Sequence, residues 1–269
     1  DAEPRLIAVC ATLFSIASVL FFLRVYVRNT RSAWGLDDWT MVPALVVFTA
    51  FCLDGAVHGI GAHAAHLTPT EELVGLRSFF FAQVFYCISI LFVKLSIGLM
   101  LCRIAERKKP YLYALYFINT TIVITLTFTA IYLLARCNPI MANWNPMTKG
   151  AKCLSTAQLS SVSYAQSAFN IGTDWSTAIL PIPLLWDVKM DRSTKGSVVG
   201  ILGLGFFASI SAMIRLKYTV AYSAPGADYL YDIVDLTIWA YCEASIGMIV
   251  GCVSTLRPLF AGVFKMGSS

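Results

Sequence analysis

The stretch that decides the fold covers residues 229–264, YLYDIVDLTIWAYCEASIGMIVGCVSTLRPLFAGVF. It is long enough to cross a bilayer, which takes about 20 residues of helix. Within it Asp235, Trp239 and Glu243 recur every four residues, with Asp232 shortly before, so they share one face of a helix. A charge near the bilayer centre costs roughly 2.5–3.5 kcal/mol, so it faces a bundle interior or a wet cavity. The stripe therefore predicts helices surrounding these acids, although acids that merely bond neighbouring helices are an alternative.

The same stretch argues against retinal chemistry. Retinal proteins hold their cofactor as a Schiff base on a lysine of the last helix, because only an amine condenses with the aldehyde. No lysine occurs in residues 229–264, and the lysines inside other spans are Lys94 and Lys217. We therefore expect no retinal cofactor.

Composition indicates a polytopic membrane protein. Of the 269 residues, 58% are hydrophobic and 13% are charged, and apolar segments of membrane-spanning length recur along the chain. The net charge of +5 does not indicate nucleic-acid binding, because no nucleic-acid-binding motif occurs. In a membrane protein the positions of the basic residues relative to the spans are the informative feature. The predicted partner of the surface is the lipid bilayer. The predicted spans are 6–27, 37–57, 73–102, 111–134, 160–186, 198–220 and 229–264.

The distribution of basic residues predicts the orientation. Twelve lysines and arginines flank the ends of spans one, three, five and seven, whereas five flank the opposite ends. Because basic flanks stay in the cytosol, the amino terminus is predicted outside and the carboxyl terminus inside. The predicted fold is all-α: one seven-transmembrane helix bundle that forms a single domain over residues 1–269.

Two cysteines lie together in the loop that this orientation places outside. Cys137 and Cys153 are on an oxidising side if the membrane is the plasma membrane, which favours a disulfide over free thiols. The other six cysteines lie in spans, where cysteine behaves as a small hydrophobic residue.

All three histidines lie in one short segment after span two. His58, His63 and His66 follow Asp54 and offer enough imidazole for zinc or copper. The spacing matches no standard metal motif. Histidines that line a wet vestibule or sense pH are therefore the alternative interpretation.

Ionisable groups at similar depth predict a polar pocket that opens outward. Arg215 could pair with Asp235 or Asp174, and Lys94 with Glu243. A closed salt-bridge network without a ligand is the alternative. No nucleophile elbow, phosphate loop or dinucleotide fingerprint occurs. The predicted pocket consists of Asp235, Trp239, Glu243, Asp174, Asn170, Arg215 and Lys94.

A set of short motifs extends along nearly the whole chain. They are GLDDW at 35–39, GIGAH at 59–63, Lys94-Leu-Ser, Arg103, Cys137 with Cys153, Asn170 with Asp174-Trp175, LPIPLLW at 180–186, Ala208-Ser-Ile, Arg215, Trp239, Glu243 and LRPL at 256–259. In combination they resemble the fungal rhodopsin-like family of seven-helix membrane proteins. This family includes pathogenicity-type receptor-like proteins and members found in toxin biosynthetic clusters. The resemblance implies a protein without retinal.

Together these observations predict a receptor-like protein of a fungal plasma membrane. It would bind a small or surface-derived ligand in the outer pocket and signal to a cytosolic partner through helix movement, with Pro181, Pro183 and Pro258 as hinges. The alternative is a membrane-embedded enzyme of secondary metabolism that acts on an apolar metabolite. Glu243 or Asp235 would then be the acid, or the histidines would hold a metal. A carrier has the weakest support.

Replacing Cys137 and Cys153 with alanine tests the disulfide. Non-reducing gels should show slower migration of the double variant than of the unreduced parent protein, and the same migration after reduction. Loss of the loop closure should lower the free energy of unfolding by roughly 3 kcal/mol. Unchanged mobility of the variant would rule out the bridge.

Overall fold

A computed structural model of the chain describes residues 2–30, 36–105, 108–145, 147–180, 182, 203, 206–207, 210–211, 213–214 and 229–255. Most of predicted span six, including Arg215 and Lys217, lies outside these residues, as do Pro181, Pro183 and Pro258. The α-helices in the described part are α1 Glu3–Thr30, α2 Leu36–Val57, α3 Pro69–Ala105, α4 Lys109–Ala135, α5 Thr156–Ile179 and α6 Tyr229–Thr255.

The architecture is that of an all-α membrane protein, as predicted. Within the described residues α1, α3, α4 and α6 are long and apolar enough to cross a bilayer. α6 corresponds to the predicted seventh span. The count of seven helices and the orientation of the termini stay predictions.

Local sequence signals explain where two of the helices begin and end. Thr68 and Glu71 form a reciprocal cap before α3, because the Thr68 N–H donates to Glu71 Oε2 at 2.9 Å and the Glu71 N–H donates to Thr68 Oγ1 at 3.3 Å. Ser155 and Gln158 form the same capping box before α5. α5 ends at Ile179, just before the proline-rich segment that was predicted to break it.

α3 and α6 form the centre of the bundle. In their most apolar windows 61% and 56% of residues are buried, compared with 17% in α1 and in α4. α3 packs against α2, α4 and α6, and α6 also packs against α1. The peripheral helices expose large apolar side chains such as Phe22 on α1 and Phe117 on α4. A bilayer would cover these surfaces, so the chain is described as a multi-pass membrane protein.

A glycine loop between α2 and α3 joins the starts of α1 and α6 at one end of the bundle. Gly61 accepts a hydrogen bond from the Ala2 N–H at 2.8 Å and donates its own N–H to the Leu230 carbonyl at 3.0 Å. Its φ of +103° is accessible to glycine but strained for other residues. An added Cβ would lie 2.8 Å from the Glu3 nitrogen. The sequence therefore needs glycine here to bring α1 and α6 together.

The disulfide loop lies at the same end and is joined to α3. Cys137 and Cys153 form the predicted disulfide and are paired residues of the short antiparallel strands β1 Cys137–Asn138 and β2 Lys152–Cys153. Trp144 of this loop contacts Phe80 and Phe81, with ring centroids 5.4 and 5.9 Å away. The loop is thus held by a covalent bond at its base and by aromatic packing on α3.

The close approach of α3 and α6 can be tested at Gly247. A Cβ at this position would lie 2.7 Å from Val93 Cγ1, whereas a Cβ at Gly172 of α5 meets nothing within 4 Å. Gly247→Leu should therefore destabilise the protein by about 1–3 kcal/mol through overpacking. Gly172→Leu is the matched control and should unfold near the parent temperature. The measurement is thermal unfolding in detergent, followed with a thiol-reactive dye that reports exposure of buried cysteines such as Cys52. Equal melting of both variants would contradict this packing.

Candidate functional site

A cavity of about 200 Å³ lies within the described helices, on the side of the bundle that carries the disulfide loop. Five helices contribute to it, from α2 to α6. Arg136 and Leu126 both line it and are ten residues apart, so the cavity runs for about 15 Å along α4. The lining residues are Phe48, Phe79, Ala82, Gln83, Tyr86, Cys87, Leu126, Thr129, Tyr132, Leu133, Arg136, Leu159, Ser163, Gln166, Ser167, Asn170, Leu236, Thr237 and Ala240.

The wall of the cavity is mainly apolar and carries a few polar groups, which is typical of a small-molecule site. Polar side chains come from α5 in particular: Ser163, Gln166, Ser167 and Asn170 all line the cavity. Their spacing places them along one face of α5. This stripe was readable in the sequence, but the sequence analysis took from it only Asn170.

At the deep end of the cavity Asn170 is linked to a buried ion pair. Lys94 Nζ lies 2.7 Å from Asp174 Oδ1, and both side chains are only 10% exposed. The same ammonium group donates to Asn170 Oδ1 at 3.1 Å. Asn170 and Asp174 are one helical turn apart on α5, so both can reach one lysine on α3. The structure thus brings together three of the predicted pocket residues.

The predicted pairing of Lys94 with Glu243 was wrong. The ammonium group of Lys94 faces α5, where it meets Asp174. The prediction rested on depth along the helix axes, and depth alone does not determine the direction in which a side chain points. The predicted partner Arg215 lies outside the described residues.

Glu243 is buried behind the cavity wall. Its side chain is 2% exposed, and its Oε2 atom accepts hydrogen bonds from the Tyr86 hydroxyl at 2.9 Å and from Ser211 Oγ at 3.2 Å. Tyr86 itself lines the cavity. A buried carboxylate is tolerated only when it is hydrogen-bonded or paired, which these contacts provide. Tyr86 therefore connects the cavity surface with the acid on α6.

Asp235 and Trp239 have different surroundings from Glu243. Asp235 Oδ1 lies 3.1 Å from Arg5 Nη1, in a pair whose side chains are 64% exposed for the arginine and 34% for the aspartate. Such an exposed pair contributes little to stability. The Trp239 ring lies 5.9 Å from the Phe207 ring. Neither residue lines the cavity. The three residues of the predicted stripe on α6 therefore have different surroundings: Asp235 pairs with Arg5, Trp239 contacts Phe207, and Glu243 is buried beside Tyr86.

The three predicted metal ligands lie in separate surroundings. His58 Nδ1 is 3.4 Å from Asp54 Oδ1, the His63 ring stacks on Tyr231 at 4.1 Å, and His66 ends a short 3₁₀ helix. Within the described ranges no three histidine, cysteine, aspartate or glutamate side chains form a potential metal site. Binding of zinc or copper stays a prediction without geometric support.

Lys94→Met should strongly destabilise the protein, because it leaves the Asp174 carboxylate buried without this cation. Breaking a buried pair from one side costs about 3–5 kcal/mol. The double variant Lys94→Met/Asp174→Leu should lose less than the sum of the two single variants, since the two sites interact. Lys152→Met, on the exposed strand β2, is the control. Thermal unfolding in detergent gives the comparison, and strictly additive effects would refute a coupled pair.

Comparison with known proteins agrees with the motif resemblance. Fugralins biosynthesis cluster protein 2 of Gibberella zeae is 33% identical over 141 residues, which is 52% of this chain and 32% of that protein. Polyenoic acids biosynthesis gene cluster protein Ba17b of Metarhizium anisopliae is 26% identical over 278 aligned residues, covering 95% of this chain and 73% of that protein. The chain therefore spans about one third of the length of the first of these relatives. No solved structure matches the chain.

A family model extends this similarity over most of the chain. The model of the fungal rhodopsin domain matches residues 23–262, which include the described helices from the end of α1 to α6. The match covers the residues that line the cavity as well as the disulfide loop. On this basis the chain belongs to the fungal rhodopsin domain family.

Proposed function

We propose that this protein is a receptor-like membrane protein that binds a small molecule in the cavity beside the disulfide loop and transmits the binding event to the cytosol. The observation that carries the proposal is the cavity itself, because helices α2 to α6 all contribute to its wall. A ligand that contacts five helices can favour one arrangement of them over another. Such differential contact is what a ligand needs in order to shift a conformational equilibrium.

Polar links behind the wall support transmission. Asn170 connects the cavity with the Lys94–Asp174 pair, and Tyr86 connects it with Glu243. A ligand that hydrogen-bonds to either wall residue would compete with these buried contacts. Movement of α3 relative to α5 and α6 is the expected result.

The wider setting of the proposal comes from the sequence. We place a single seven-helix domain over residues 1–269, with the amino terminus outside, in the plasma membrane of a fungus. The disulfide of Cys137 and Cys153 supports an oxidising environment for this end of the bundle. The proposed receptor uses no retinal. Asp235, Trp239 and Arg215 stay members of the sequence-predicted pocket only.

A membrane-embedded enzyme of secondary metabolism is the second candidate. Both relatives carry names that refer to biosynthesis clusters. Glu243 is a buried acid whose hydrogen-bonded neighbour Tyr86 lines the cavity, an arrangement that would suit proton transfer to an apolar substrate. Genes next to the coding sequence would bear on this candidate.

Small molecules that remain bound after mild purification test the site. Ala82→Trp fills the cavity from α3 and should abolish retention of a molecule that the parent protein carries. Ala11→Trp is the matched control, because Ala11 is exposed on the outer face of α1. Organic extraction followed by mass spectrometry gives the comparison. Identical extracts from the two variants would contradict a binding role for the cavity.

Incubating the protein with the extracted molecule separates the two candidates. A receptor should return the molecule unchanged. An enzyme should convert it, and Glu243→Gln should then slow the conversion by at least about 100-fold, the usual contribution of general acid–base catalysis.

A further inference from the structure

Arg136 holds a defined position at the end of the cavity near the disulfide loop. It is the C-cap residue of α4 and precedes Cys137. Its carbonyl accepts a hydrogen bond from the Leu154 N–H at 3.1 Å, just beyond the disulfide partner Cys153. The backbone of Arg136 is therefore held by both strands of the disulfide loop: it continues into β1 and is hydrogen-bonded to the residue that follows β2. Its half-buried side chain lines the cavity.

Arg136 differs from Lys94 and Arg5 in its surroundings. Lys94 is paired with Asp174, and Arg5 with Asp235. In the part of the chain that the structure describes, no carboxylate pairs with the Arg136 guanidinium. At one end of the cavity there is thus a positive charge that no carboxylate among the described lining residues neutralises.

Tyr132 lies one helical turn before Arg136 and also lines the cavity. Its hydroxyl oxygen is buried, and no described residue offers it a hydrogen bond. Buried hydroxyl groups are normally hydrogen-bonded, so this one calls for an explanation. Because residues at i and i+4 are neighbours on a helix surface, the phenol and the guanidinium can reach the same group in the cavity.

Outside α5 the wall is mainly apolar. Phe48, Cys87, Leu126, Leu236 and Ala240 line it there, whereas α5 presents its polar stripe. We propose that the ligand is an amphipathic carboxylic acid, whose carboxylate binds Arg136 and Tyr132 and whose apolar chain runs along α4 toward Leu126. This inference rests on the proposed function of the cavity and names the chemical class that it binds.

The chemistry of the site favours a singly charged anion such as a carboxylate over a phosphate dianion. A guanidinium donates two parallel N–H bonds to the two oxygens of a carboxylate, and the phenol can donate a third bond. One arginine balances one negative charge. A phosphate dianion would leave a second charge uncompensated in a half-buried site, which is costly.

The experiment uses decanoate as the probe and the protein in lipid nanodiscs. Isothermal titration calorimetry, corrected with empty nanodiscs, should show saturable binding of decanoate and much weaker binding of decanol. Arg136→Gln should weaken decanoate binding by about 10- to 100-fold, and Tyr132→Phe by about 3- to 10-fold, as expected for hydrogen bonds to a charged group. Arg77→Gln is the control, since Arg77 is an exposed arginine of α3 outside the cavity wall.

The cavity-filling variant Ala82→Trp distinguishes failure of this inference from failure of the proposed function. Loss of decanoate and decanol binding in Ala82→Trp, with decanoate binding unaffected by Arg136→Gln, would overturn the carboxylate assignment and keep the cavity as a binding site. Equal binding of decanoate and decanol would overturn it in the same way. If decanoate does not bind at all, this inference is overturned. If decanoate still binds to Ala82→Trp, the inference is overturned and the cavity is also ruled out as the binding site.

Discussion

The need to compensate buried charges governs this structure. Inside a bilayer no water replaces a lost hydrogen bond. A charged side chain within a membrane-spanning helix must therefore be paired or hydrogen-bonded within the bundle. Lys94 meets Asp174 and Asn170, and Glu243 receives the Tyr86 hydroxyl. These contacts connect α3 with α5 and with α6. α3 and α6, which carry Lys94 and Glu243, are also the two membrane-length helices with the most buried apolar windows in the described part of the chain.

The same requirement explains how the cavity is built. At the deep end of the cavity, Asn170 and Tyr86 already form hydrogen bonds with Lys94 and Glu243 behind the wall. These two side chains therefore have less hydrogen-bonding capacity left for a ligand. At the other end the Tyr132 hydroxyl is buried without a described hydrogen-bond partner, and Arg136 stands beside it. The disulfide of Cys137 and Cys153 fixes the backbone next to this arginine. The loop thus acts as a support for one end of the site rather than as a mere connection between α4 and α5.

Much of this organisation could be predicted without coordinates. Hydrophobic length predicted the four described helices that can cross a membrane, and the compartment argument predicted the pairing of Cys137 with Cys153. The motifs predicted the family. Pairings across helices were less accessible: depth arithmetic placed Lys94 near Glu243, whereas its partner is Asp174. Height along an axis can be counted from residue numbers, but the rotation of a helix about its axis depends on how all its neighbours pack.

The sequence by itself determined that the chain is helical, crosses a membrane and carries acids at depths where they need partners, because hydrophobic length and charge are properties of the residues themselves. Tertiary structure alone decided which polar groups meet and where a cavity remains. Gln83, Gln166 and Arg136 lie far apart along the chain yet line one space. Close contacts such as that of Gly247 with Val93, which joins α6 to α3, are likewise not encoded in any local pattern.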